Sequence, residues 1–164
     1  MRYLVQVSDL LADPGAARSE SGTLDLSIEL TNARVDDTAR VDVRLRSLTD
    51  GIVARGTVTV PVDLTCKRCL TTWTETREIP FEQVYRRQPD DTDDELPLVD
   101  GHAIDLEPAI HDEVSLALPA APLCREDCRG LCSVCGTDLN ESPCDGHGDG
   151  TDSPFAALKQ LFDS

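Results

Sequence analysis

Seven cysteines fall in two places along the chain: Cys66-Lys67-Arg68-Cys69 in mid-sequence, then Cys124, Cys128, Cys132, Cys135 and Cys144, with His147 just beyond. The chemistry this offers is metal binding. A C-x-x-C turn faces two thiolates toward one ion while intervening amides hydrogen-bond the sulfurs, and two such pairs complete the tetrahedral shell that Zn²⁺ prefers. Cys132-Ser133-Val134-Cys135-Gly136 is the most specific piece, because glycine after the second cysteine suits the tight left-handed turn of a zinc knuckle.

Other uses of the thiols rank lower. A disulfide framework calls for a small exported chain with an even cysteine count, and residues 1–9 contain no charged region followed by an apolar run. A thioredoxin-type redox pair opens a helix, whereas Cys69 is followed by Leu70-Thr71-Thr72-Trp73-Thr74-Glu75-Thr76, which favours a strand.

Eight ligands divide into two sets of four. Cys132, Cys135, Cys144 and His147 are compact and close through the Asp138-Leu139-Asn140 turn, leaving Cys66, Cys69, Cys124 and Cys128 as the other set. An ion held by Cys66, Cys69, Cys124 and Cys128 would staple a strand end to a segment more than about fifty residues later. The alternative is one zinc ion, with Cys66 and Cys69 meeting Cys132 and Cys135 in a split ribbon. His102 and His111 have no cysteine at ligand spacing and read as solvated or packed side chains.

The elements that must position these thiols are mostly strands. The sequence predicts strands over Tyr3 to Leu10 and Thr23 to Leu30, separated by a flexible loop over Ala12 to Gly22. A hairpin follows, with Val41, Val43 and Leu45 alternating in its first strand, Thr49-Asp50-Gly51 as the turn, and Ile52 to Leu64 alternating in its second. It ends at Cys66, and Trp73 to Tyr85 returns antiparallel with Pro80 at an edge or bulge. Residues 88–101 form an acidic, proline-bearing linker expected to be mobile as far as Glu95. A helix is predicted near 105–118, with Asp105 as N-cap, Pro108 in the first turn and Ile110, Val114, Ala117 and Leu118 as its apolar stripe. Pro119 ends it, and Ala120 to Leu123 becomes an extended spacer delivering Cys124. Ser153 and Pro154 open a last short amphipathic helix carrying Phe155, Leu158, Leu161 and Phe162.

The fold class is therefore α+β: a mainly antiparallel β domain over residues 1–123 with one packed helix, a zinc-knuckle segment over 124–150, and a C-terminal helix within 151–164. The chain's 164 residues and 40% hydrophobic content suffice for such a core. No stretch approaches the about 20 apolar residues that cross a bilayer, so no membrane role is expected and the cytoplasm is the expected location.

The net charge of −16 is regional. Residues 1–89 carry 12 Lys+Arg against 13 Asp+Glu, and residues 90–164 carry 3 against 18. The acidic half repels phosphate and suits a basic protein partner, or simply keeps the chain soluble. Arg40, Asp42, Arg44 and Arg46 share the outer face of the hairpin with Arg55 on the next strand, and Arg86-Arg87 lie further on. Arginine on a solvated strand face is ordinary, and this reading is preferred to a phosphate-binding surface.

With these residues in view, the chain resembles the YceD family, the large ribosomal RNA subunit accumulation proteins of bacteria and plastids. The likeness is carried by Cys66-Lys67-Arg68-Cys69-Leu70, by Ile104-Asp105-Leu106, by Asp112-Glu113-Val114-Ser115-Leu116-Ala117-Leu118-Pro119, and by Gly130-Leu131-Cys132-Ser133-Val134-Cys135-Gly136-Thr137-Asp138-Leu139-Asn140. Ser153-Pro154-Phe155-Ala156-Ala157-Leu158 is a further echo. The resemblance implies a non-enzymatic role in large-subunit ribosomal RNA synthesis, processing or stability during ribosome assembly. It also implies the two-site partition, since some branches keep the first C-x-x-C and lack the Cys132–Cys135 segment. Where members often carry C-x-C, this chain has Cys144-Asp145-Gly146-His147.

Three functions compete. An assembly factor would reach a large-subunit precursor through RNA, with Arg44, Arg46 and Arg55 as candidate contacts, or through a basic ribosomal protein. A general zinc-stabilised interaction module would have no direct RNA role. An enzyme is disfavoured, because no catalytic motif or small-molecule site is visible and four protein ligands leave zinc no open position.

Overall fold

In the computed structural model of the chain, residues 2–87, 95–144 and 146 are described. The elements in chain order are β1 (Leu4–Gln6), α1 (Ser8–Ala12), β2 (Ala17–Glu29), β3 (Ala33–Ser47), β4 (Gly51–Thr65), β5 (Thr72–Arg86), β6 (Glu95–Pro97), β7 (Ala103–Asp105) and α2 (Glu107–Ala117). The fold is mostly antiparallel β, with two helices among the described residues. Five strands form one sheet in the order β2-β3-β4-β5-β6, antiparallel except that β6 runs parallel to β5, while β1 and β7 form a separate antiparallel pair.

Alternation along the long strands sends one set of side chains inward. Leu24, Leu26 and Ile28 of β2, Val41, Val43 and Leu45 of β3, Val58, Val60, Val62 and Leu64 of β4, and Ile79 and Phe81 of β5 are all buried. Ile104 and Leu106, Ile110 and Val114 of α2, and Leu118 at its C-cap join them in one core. Gly56 shows how tight the packing is: a Cβ there would lie 2.3 Å from the Asp42 carbonyl oxygen and 2.8 Å from the Phe81 ring. The register of β3 against β4 shifts between Arg34 and Arg40, where six steps along β3 (Arg34 to Arg40) match four along β4 (Asp63 to Thr59). An even excess preserves the face, so Val35 and Ala39 both remain inside.

The hairpin turn forms where the sequence places it, Leu48 N–H donating to the Gly51 carbonyl at 2.8 Å. Pro80 sits on β5 beyond the reach of β6, which pairs only with Val84 to Arg86, so its missing N–H faces an open edge.

Several expectations need correction. The strand expected over residues 3–10 stops at Gln6, and Ser8–Ala12 is helical because buried Val7 and Leu10 stand three apart, a helical spacing. The loop expected over 12–22 is strand from Ala17 onward, where residues 17–22 pair with 46–41 of β3. Asp105 is not the N-cap of α2. It belongs to β7, Leu106 occupies the cap, and the Asp105 carboxylate accepts the N–H groups of Glu107 and Tyr3, each at 3.2 Å. Ala117 is exposed, leaving Ile110, Val114 and Leu118 as the stripe. Of the acidic linker, residues 95–97 form β6, while 88–94 lie outside the described residues, as does the helix expected within 151–164.

Tyr85 joins the sheet to the β7–α2 corner, donating its hydroxyl to the Asp105 carbonyl at 2.8 Å. Burial, aided by the nearby Asp105 carboxylate, raises its pKa above that of free tyrosine. Above about pH 10 the unfolded chain releases this proton and the folded chain retains it, so stability falls as pH rises through that range. Urea unfolding at about pH 8 and about pH 10.5 should show this decline, and Tyr85→Phe should shrink it while costing about 1 kcal/mol at the lower pH. An identical decline in the variant contradicts the assignment.

Candidate metal centres

The first centre forms where β4 runs out. Cys66 follows Thr65 and opens a turn that leads back into β5 at Thr72. In this turn Cys66 N–H donates to the Thr71 carbonyl and Leu70 N–H to the Cys66 carbonyl, both at 2.9 Å, and Arg68 N–H points at the Cys66 sulfur from 3.4 Å. Closing it puts Leu70 in the left-handed region at φ 61° with its side chain exposed. Leu70→Gly should therefore raise stability by about 1 kcal/mol. A denaturant midpoint that does not rise would count against strain at this position.

The second pair repeats this geometry. Cys132 N–H donates to the Thr137 carbonyl at 2.8 Å, Gly136 N–H donates to the Cys132 carbonyl at 2.9 Å, and Gly136 has φ 74°. A threonine hydroxyl meets the second sulfur each time, Thr71 Oγ1 at 3.2 Å from Cys69 Sγ and Thr137 Oγ1 at 3.1 Å from Cys135 Sγ. The repeated unit is C-x-x-C-x-T. Its threonine was legible at the same offset in both pairs and was not singled out from sequence.

The spacer after α2 is pinned as it approaches the first turn. Lys67 N–H donates to the Pro122 carbonyl at 3.0 Å, and Asn32 Nδ2 reaches the Ala120 carbonyl at 3.4 Å. Arg68 holds the next stretch: its Nη1 donates to the Cys128 carbonyl at 2.8 Å, and its own carbonyl accepts the Leu131 N–H at 3.0 Å. Chain entry is thus fixed by the turn that carries Cys66 and Cys69.

The result is a cluster of four thiols, Cys66, Cys69, Cys124 and Cys128, whose sulfurs all lie within 4.8 Å of one another. Cys66 lies 3.8 Å from Cys128, and Cys69 lies 3.6 Å from Cys124. These separations match the edge of a tetrahedron about 3.8 Å long around an ion about 2.3 Å from each sulfur, and far exceed a disulfide bond. Cys66, Cys69 and Cys128 are buried and Cys124 is exposed.

Cys132, Cys135 and Cys144 form a second cluster, again within 4.8 Å, with Cys144 at 3.6 Å from each of the other two. His147 lies outside the described residues. The split ribbon would require Cys66 and Cys69 to meet Cys132 and Cys135, and the chain groups them separately. Each cluster could hold a metal ion.

Electrostatics in the clusters are compatible with a bound cation. Burial pushes the Cys66 thiol up, but the amides of Cys69, Cys124 and Arg68 outweigh it and bring the thiol down to about 6. The Thr71 hydroxyl lowers Cys69 as well. Cys124, desolvated and facing the sulfurs of Cys69, Cys128 and Cys66, is pushed up to about 12. In the second cluster the Cys135 and Val134 amides lower Cys132, while Cys144 is pulled down by the Gly146 amide and pushed up more strongly by the sulfurs of Cys135 and Cys132. Some thiols in each set ionise readily and their charge then opposes the rest, a conflict that a bound cation removes.

The centres also touch each other. Asn140, from the turn between Cys135 and Cys144, directs Nδ2 toward the Cys128 sulfur of the first cluster at 3.5 Å, while its Oδ1 accepts the Arg129 N–H at 2.8 Å. Asp138 orients it, its Oδ1 accepting from Asn140 N at 2.8 Å and Nδ2 at 2.7 Å. Sequence reading found the Asp138-Leu139-Asn140 turn without this sulfur contact.

Both clusters fall inside one family match. The model for "Large ribosomal RNA subunit accumulation protein YceD" covers residues 54–162. The chain belongs to the YceD family. Among its relatives in curated collections are an uncharacterized protein of Mycobacterium leprae, 36% identical over 128 residues (74% of this chain, 58% of the relative), and one of Mycobacterium bovis, 36% identical over 108 residues (63% and 52%). The chain thus spans 58% and 52% of the lengths of these relatives. No solved structure matches it.

The remaining expected residues lie away from the thiols. Arg44, Arg46 and Arg55 line a groove on the solvent side of β3 and β4, and Arg55 closes on Glu82 at 2.6 Å. His102 bonds the Asp100 carbonyl at 2.7 Å, and His111 stands on α2 beside Asp112. Among the described residues, no helix is long and apolar enough to cross a membrane.

Proposed function

We propose that the chain is a zinc-binding, non-enzymatic factor that supports the accumulation and processing of large-subunit ribosomal RNA during ribosome assembly in the cytoplasm. The observation that carries this reading is the family match, whose span contains all seven cysteines. Zinc suits the donors: four thiolates at tetrahedral spacing form the shell of a structural site, and Cys132, Cys135 and Cys144 await one more ligand, for which His147 is the candidate. Free thiols suit a reducing compartment. In this reading residues 124–150 form the metal-binding segment, appended to a body over 1–123 and followed by residues 151–164.

A shell filled by four protein ligands leaves zinc no position for water or substrate, so the metal organises structure. The partner is a large-subunit precursor, reached through its RNA or through a basic ribosomal protein that complements the acidic residues 90–164. Capture of the tagged chain from growing cells, with sequencing of bound RNA and identification of bound proteins, tests this directly. Enrichment of large-subunit components is expected. Capture of other proteins without them would favour a general zinc-stabilised interaction module, and RNA hydrolysis by the purified metal-loaded chain would overturn the non-enzymatic assignment.

A further inference from the structure

Beside the turn that joins β3 to β4, the solvent face of the sheet carries a groove of about 620 Å³ whose charged lining is Arg44, Arg46, Arg55 and Glu82. Arg44 and Arg55 are direct cross-strand partners, an opposition of like charges that sheets ordinarily avoid. Arg46 follows on the same face, in a cross-strand row with Ala17 and Val53, whose small side chains keep the groove open. Elsewhere on this face arginines close on carboxylates, Arg34 on Asp36, Arg40 on Asp42 and Arg86 on Asp50. Within the groove Glu82 holds Arg55, whereas Arg44 and Arg46 have no ion-pair or side-chain hydrogen-bond partner among the described residues. One carboxylate against three guanidinium groups leaves this spot positive on a chain of net charge −16.

The cysteine clusters are remote from it, although the acidic half rejoins the sheet nearby, where Glu95–Pro97 of β6 pair with Val84–Arg86. From Arg55 to Cys66, β4 runs eleven residues at about 3.3 Å each, several times the Debye length of about 8 Å at physiological ionic strength. Among the described residues no aromatic side chain lines the groove, so it lacks the aromatic platform of a base-stacking site. Guanidinium forks pair bidentately with phosphate oxygens. We propose that this groove is a sequence-independent binding site for the phosphodiester backbone of RNA, with Arg44 and Arg46 taking phosphate oxygens and Arg55, oriented by Glu82, taking a neighbouring one. The choice of RNA among polyanions rests on the ribosomal reading above. The rival occupant is the chain itself: Arg87 N–H donates to the Asp50 carbonyl beside the groove, and Asp90, Asp91, Asp93 and Asp94 follow in sequence.

Fluorescence anisotropy of the full zinc-loaded chain with labelled single-stranded RNA of about 20 nucleotides, in two unrelated sequences, tests the site. Both sequences should bind alike, with affinity falling as salt rises at a log–log slope of about −2 for three single-strand phosphate contacts. R44Q/R46Q should reduce affinity more than about tenfold at about 50 mM salt and flatten the slope to about −0.7, while R34Q changes neither. The thermal midpoint of R44Q/R46Q should not fall, because Arg44 has been removed from its like-charge pair with Arg55. Unchanged affinity and slope in R44Q/R46Q overturn the proposal. So does RNA binding seen only after Asp90, Asp91, Asp93 and Asp94 are all changed to asparagine, since the groove then belongs to the chain's own acidic segment. Co-sedimentation with ribosomal precursors separates this site from the broader reading. A wild-type chain that binds RNA through these arginines but ignores precursors supports the groove and sinks the ribosomal role; one that co-sediments while its RNA binding ignores R44Q/R46Q does the reverse.

Discussion

Replacing Cys66 with serine should destabilise the whole β domain, whereas replacing Cys135 should loosen little beyond residues 130–144. The difference follows from what each metal centre ties together. Cys69 and Cys124 are 55 positions apart and Cys66 and Cys128 are 62 apart, so an ion in the first cluster closes a loop containing β5, β6, β7 and α2. By the chain-entropy argument, closing a loop of that length withholds about 4 kcal/mol of freedom from the unfolded state, a large share of the about 5–15 kcal/mol by which domains are stable. Cys66 is also fully buried, and losing its sulfur leaves Cys128 without one of its neighbours. The second cluster spans only Cys132 to Cys144 and sits outside the main core. Hydrogen exchange reads the contrast: Cys66→Ser should raise exchange in β4, β5 and α2 together, and Cys135→Ser only in its own segment. Equal and local effects from both variants would mean that the first cluster does not bridge the fold.

Chain purified under reducing conditions, without exposure to chelator, should carry two zinc ions by native mass spectrometry and lose them in order. Both clusters present thiol sets at tetrahedral spacing, but three of four sulfurs in the first are buried, while Cys135 in the second is exposed and Cys132 and Cys144 are half-buried. A chelator should therefore strip the second site first, with little change in the sheet, and unfold the domain only when the first ion leaves. Protein with no bound metal would remove the basis of the zinc reading. A single ion that resists chelation would leave the second cluster as a reduced thiol set short of its fourth ligand.

The hairpin, and the buried face of residues 24–28 before it, were legible because alternation is a local signal: Val41 to Leu45 carry it without interruption, and Ile52 to Leu64 carry it with a break only at Gly56. Residues 17–22 were not legible. Ser19, Glu20, Ser21 and Gly22 have the composition of a loop, and only their pairing with β3 makes them strand. Cysteine spacing left two partitions open, since sequence does not state that the spacer after α2 is pinned at Lys67 N–H or that Arg68 holds Cys128 in place. Asn140 was beyond reach for the same reason: its contact with the Cys128 sulfur crosses from one centre to the other. The left-handed residue after the second cysteine was visible at Gly136 and hidden at Leu70, because leucine gives no sign that it occupies a glycine-like conformation.

The long reach of the first cluster has a consequence in time. Cys128 follows Cys66 by 62 residues, and at about 5–20 residues per second a ribosome needs roughly 3–12 s to add them. Throughout that interval Cys66 and Cys69 emerge as a two-thiolate half-site, able to catch an ion but unable to enclose it. Closure must wait until α2 and the spacer behind it have left the exit tunnel, so enclosure of an ion by all four thiols would be the last step in building this sheet.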